Sequence, residues 1–74
     1  MKVEEFKDIV RARPFRSFRV NLADGRRVEA GHPDFLWLAE GGRTCFIETT
    51  EGIEIIDVLL VQSVNLDSAD KDAA

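Results

Sequence analysis

Seventy-four residues, 45% hydrophobic and 32% charged, with two prolines and five glycines, make one ordinary globular domain, too short for a second domain and too apolar for a disordered chain. A net charge of -4 argues against a dedicated nucleic-acid binder, which displaces counterions with basic surface. Cys45 is the only cysteine, so an intrachain disulfide is excluded, and a domain this small without staples is expected in a reducing compartment, the cytoplasm.

Val3, Phe6, Ile9 and Val10 recur at helical spacing, which predicts an amphipathic helix over residues 2 to about 12 that packs as a lid on a sheet. Acids at its start and Arg11 and Arg13 at its end suit the helix dipole, and Pro14 stops it. The N-terminal residues mix acids and bases where a signal peptide would be apolar, and no run reaches the roughly 18 to 20 apolar residues that span a bilayer, so neither secretion nor membrane insertion is expected.

Phe18, Val20 and Leu22 alternate with polar residues, Asp24-Gly25 interrupts, and Val28 and Ala30 resume the alternation, which reads as a β-hairpin. Gly31-His32-Pro33 bends the chain into a run over 34–39, apolar on both faces, expected to be the central strand with core on one side and helix on the other. Residues 44–49 and 53–56 predict a second hairpin. A short turn and a last strand over 62–66 follow, although Ile53, Ile56, Leu60 and Val64 also fit a helical stripe. The folded domain is expected to span 1–66, with 67–74 a disordered acidic tail.

The expected fold class is α+β: an N-terminal helix packed on a strongly bent five-stranded antiparallel sheet or small SH3/Sm-like barrel. Its core is drawn from Phe6, Ile9, Val10, Phe18, Val20, Leu22, Val28, Leu36, Leu38, Phe46, Ile47, Ile55, Val61 and Val64.

Little in the chain carries chemistry. One histidine and one cysteine do not make a zinc site, and no phosphate-cradling loop or nucleophile elbow is present, so no catalytic residue, metal or cofactor is expected. His32, before a proline, reads as bonded to neighbouring backbone, with a lone general base as the alternative. Cys45 reads as core and Trp37 as core filler, with a partner-facing anchor as the other reading of Trp37. Asp57, inside the longest apolar run, needs backbone or arginine hydrogen bonds if it is buried.

Charge is uneven along the chain. Residues 11 to 27 hold six arginines against Asp24 alone, whereas residues 28 to 74 hold ten acids against Arg43 and Lys71. Arg11, Arg13, Arg16, Arg19 and Arg27 are therefore the candidate site for an acidic partner segment or a phosphate, on the hypothesis that at least Arg13, Arg16 and Arg19 remain unpaired. The bland reading disperses them in weak surface pairs with Glu29, Glu48 and Glu54.

The combination Pro14-Phe15-Arg16, Phe18-Arg19-Val20, Asp24-Gly25-Arg26, His32-Pro33-Asp34-Phe35 and Ile55-Ile56-Asp57 resembles a group of short uncharacterised bacterial proteins, which brings no assigned function. A leading helix, Val20-x-Leu22-x-Asp24-Gly25-Arg26, a bent strand and a final Ile56 to Leu66 segment with a short turn are similar to Sm-like small barrels, including the bacterial Sm-like RNA chaperone. That resemblance implies a small barrel and assembly into rings by pairing of edge strands, and makes nucleic-acid binding the alternative function. The expected function is a non-enzymatic interaction module that binds a protein partner, self-associates through a sheet edge, or both. The final segment, Val61 to Leu66, carries no charge to protect such an edge.

Overall fold

The computed structural model describes residues 1–67. Helix α1 spans Val3–Arg11, and six strands follow: β1 Phe18–Leu22, β2 Arg27–Ala30, β3 Leu36–Leu38, β4 Thr44–Thr49, β5 Gly52–Asp57 and β6 Val61–Leu66. Short 3₁₀ turns, Pro33–Phe35 and Val58–Leu60, precede β3 and β6. The α+β class holds, but the single five-stranded bent sheet does not. The strands form two three-stranded antiparallel sheets, ordered β2-β1-β6 and β3-β4-β5, which do not close into a barrel.

The break lies between β2 and β3. His32 is extended, Pro33 opens the 3₁₀ turn, and its missing N–H cannot continue a ladder, so the chain leaves one sheet before it enters the other. Residues 34–39 are consequently not a central strand: β3 is three residues long and lies at the edge of the second sheet, whose centre is β4. Central position in the first sheet belongs to β1, which pairs with β2 on one side and β6 on the other.

The first hairpin follows from its turn residues. Leu22 donates to the Arg26 carbonyl at 2.9 Å, Gly25 donates to the Leu22 carbonyl at 3.0 Å, and Gly25 takes a φ of 94°, a three-residue loop with a glycine bulge. This closure also sets which backbone groups are used. Bonded pairs recur every second residue, so Val28 and Ala30 bond β1, while the N–H and C=O of Arg27 and Glu29 point away from it.

Alternation fills the space between the sheets. Phe18, Val20, Leu22, Val28, Ala30 and Val61 from the first meet Leu36, Cys45, Ile47, Ile56 and Val58 from around the second. Phe6 enters from α1 and meets Phe18 edge-on, with ring centroids 6.0 Å apart. Burying Phe6 contributes about 1.5–3 kcal/mol, which holds a helix too short to stand alone. The helix also rests on the β3–β4 turn, where a Cβ at Gly42 would lie 2.5 Å from Lys7 Cε and 2.9 Å from Val3 Cγ1. Ile9, Val10, Leu38 and Val64 pack against this core as half-buried residues. Two expected members fall outside it: Phe46 is half-buried and Ile55 is 62% exposed.

The last strand nearly matches expectation, with Val58–Leu60 as the turn and β6 beginning at Val61. Its register against β1 slips between Asn21 and Leu22, where Gln62 is the extra residue. Asp67, placed by the sequence at the start of a tail, continues the pairing: its N–H donates to the Ser17 carbonyl at 2.9 Å. The rest of that expected tail, 68–74, lies outside the described residues.

Candidate functional site

The outer faces of the two sheets differ in chemistry because strand alternation sorts different residues onto them. On the first sheet the outward residues form two polar rows, Glu29–Arg19–Asn65 and Arg27–Asn21–Ser63. Asn21 Nδ2 donates to Asn65 Oδ1 at 2.7 Å and to Ser63 Oγ at 3.0 Å, while Arg27 Nε donates to Asn21 Oδ1 at 3.1 Å. On the second sheet the corresponding row is Trp37–Phe46–Ile55, with Ile53 beside it. Trp37 is 44% exposed and stacked on Phe46, so core filler was the wrong reading of this residue.

The candidate arginines do not form one free patch. Arg16 Nε donates to the Asp67 backbone carbonyl at 2.8 Å, and Arg19 lies 3.4 Å from the Asp67 carboxylate and 3.9 Å from that of Glu29. Ser17 also donates to the Asp67 carboxylate. The expectation that Arg19 lacks an acidic partner is therefore corrected: β1 and β2 are antiparallel neighbours, and Glu29 stands directly opposite it. Arg13 folds back on the carbonyls of Ala12 and Val10 at 2.8 and 3.1 Å, satisfying the end of α1. Among the described residues, Arg11 has no hydrogen bond or ion pair, and Arg27 meets only Asn21.

His32 Nδ1 accepts from the Asp34 N–H at 3.1 Å, the backbone role expected of it. Asp57 accepts from Arg43 at 3.2 and 3.4 Å and from the Leu59 N–H at 3.0 Å. These bonds, the Arg43 guanidinium first, hold its carboxyl below the usual aspartate range. Cys45 is fully buried, which pushes its thiol up to about 11 and keeps it protonated. Among the described residues no group of three His, Cys, Asp or Glu side chains gathers as a metal site requires. No helix there is long and apolar enough to cross a membrane.

One concavity was not foreseen from the sequence. A cleft of about 650 Å³ opens between β2 and the tip of the β4–β5 hairpin. Arg26 and Arg27 line one side and Glu48, Glu51 and Glu54 the other, with Val28 and Phe35 as apolar lining. Arg26 ties the walls, reaching Glu54 at 3.2 Å and Asp24 at 2.9 Å. The only sequence signal for it was the bend at 31–33, which separates β2 from β3 and leaves the gap.

Comparison of the chain with protein-family models, curated proteins and solved structures finds no match.

Proposed function

We propose that the protein is a non-enzymatic interaction module that acts through a protein partner, through self-association, or both. The observation that carries this reading is the edge strand β6. It closes one side of the first sheet, carries no charged side chain from Val61 to Leu66, and by alternation from the β1 pairing directs the N–H and C=O of Val64 and Leu66 outward. A second copy that pairs there antiparallel satisfies those groups and joins two three-stranded sheets. The outward-facing Trp37–Phe46–Ile55 row, in which Trp37 and Ile55 are exposed, gives the same reading further support, since apolar surface of this kind marks contact with other proteins. Within this reading Arg11 and Arg13, whose guanidinium groups meet no carboxylate, are the arginines best placed to receive an acidic partner segment.

An Sm-like nucleic-acid-binding role has less support, because Arg19 is already paired with carboxylates. Amide hydrogen exchange separates the readings. Exchange at Val64 and Leu66 that slows as the protein concentration rises supports self-pairing at β6, and exchange independent of concentration contradicts it. Binding of single-stranded RNA that weakens steeply with salt would favour the alternative.

A further inference from the structure

We infer that the cleft between β2 and the β4–β5 hairpin is a binding site for an extended basic peptide, which adds to the free edge of β2 as a fourth strand of the first sheet. The inference rests on the interaction-module reading and names a second surface and the chemistry of its partner. Three independent features converge there. β2 is the terminal strand of its sheet, and the hairpin closure turns the N–H and C=O of Arg27 and Glu29 away from β1. Those four groups have the spacing of one side of an antiparallel ladder, so an extended chain is the ligand that satisfies them together.

The second feature is room with an apolar wall. The cleft holds about 650 Å³, within the usual range of ligand sites, and Phe35 is 49% exposed beside it. Pro33 and the 3₁₀ turn hold Phe35 there, close to the His32 ring at 5.5 Å. An apolar side chain of the added strand covers this ring.

The third feature is charge. Two cations, Arg26 and Arg27, face four carboxylates, Glu29, Glu48, Glu51 and Glu54. Arg26 is already taken by Glu54 and Asp24, and Glu29 lies within reach of Arg19, whereas Glu48 and Glu51 have no ion pair among the described residues. The wall formed by β4 and the hairpin tip is thus negative, and lysine or arginine at alternate positions of the incoming strand answers it.

The test uses the full chain at low salt with three capped six-residue peptides: alternating lysine and valine, alternating glutamate and valine, and the lysine peptide N-methylated at alternate amides. The lysine peptide is expected to bind and to slow amide exchange at Arg27 and Glu29, while the other two bind on the order of tenfold more weakly or not at all. Replacing Glu48→Lys and Glu51→Lys should reverse the preference between lysine and glutamate peptides, and Glu51→Lys alone, at an exposed turn position, should weaken lysine-peptide binding. Absence of lysine-peptide binding, binding without protection at Arg27 and Glu29, or an affinity unchanged by Glu51→Lys would overturn the inference. The same spectra report Val64 and Leu66, so concentration-dependent protection at β6 with none at β2 removes the cleft while leaving the module reading in place.

Discussion

Trp37 lies on Phe46 with ring centroids 5.4 Å apart and planes 11° from parallel, on the solvent side of the second sheet. The pair is directly opposed in the β3–β4 register, so each ring shields one face of the other and leaves the remaining surface to water. Truncation should therefore be mild. Trp37→Ser is expected to cost about 0.5–1.5 kcal/mol in urea unfolding, against about 3–5 kcal/mol for Phe6→Ala in the core. Equal losses would place Trp37 in the core.

Gly42 sits beneath α1 with a φ of 79°, a conformation that L side chains rarely adopt. Gly42→Ala adds backbone strain to a close approach on Val3 and Lys7 and should lower stability by more than about 1 kcal/mol. Gly41→Ala separates the two effects, because that site also has positive φ but meets nothing within 4 Å. Thermal unfolding should rank Gly42→Ala below Gly41→Ala; the reverse order would show that the helix does not rest on this turn.

Asp57 and Asp24 both have carboxyls held below the ordinary aspartate range, Asp57 chiefly by Arg43 and Asp24 chiefly by the Arg26 backbone N–H. A depressed folded value means that the contribution is fully present above the unfolded value, about 3.9, and is lost as pH falls through the folded one. Stability should decline below about pH 4, and Asp57→Asn should flatten that decline. An identical acid limb in wild type and variant would show that Asp57 does not contribute to it.

Cys45 shows the opposite sense. Its folded thiol ionises only at about 11, whereas an unfolded thiol does so near pH 8.5, so stability falls as pH rises between the two. A thiol reagent at pH 8 should label the folded protein only at the rate at which it opens, and urea should accelerate labelling to completion. Immediate labelling without urea would contradict the burial of Cys45.

Replacing Arg13, Arg16 and Arg19 together with glutamine removes carbonyl contacts at the end of α1 and two holds on Asp67. These groups are exposed or half-buried, so the expected cost is small, within about 1 kcal/mol per pair. Capture of an acidic partner should weaken through the loss of Arg13 while thermal stability stays nearly unchanged; capture as before, or unfolding, would deny these arginines a docking role.

Much of the fold was legible in local pattern. The period of 3.6 in Val3, Phe6, Ile9 and Val10, and the period of 2 on either side of Asp24-Gly25, are signals that tertiary packing did not override. Phe46 and Ile55 were misplaced because apolar residues occupy both faces of β4 and β5, so composition alone does not choose a side. The parity was present: Thr44, Phe46 and Glu48 share a face, opposite Cys45 and Ile47, and Ile55 is registered with Phe46. Separation into two sheets was harder to read. Pro33 marked a bend, but whether a bent strand keeps its ladder depends on pairing between residues far apart in the chain. The cleft and the bonds to Asp67 depend on the same long-range placement, which is why the arginines looked freer in the sequence than they are.

If the uncharged edge β6 brings copies of this chain together, the protein is a dimer or ring in solution. Static light scattering of the intact protein at micromolar concentration measures this directly, with Ser63→Lys/Asn65→Lys alongside to set like charges across the paired edge. A dimer or ring that dissociates in the lysine variant is the predicted result, and a monomeric mass for the wild type would rule out pairing at β6.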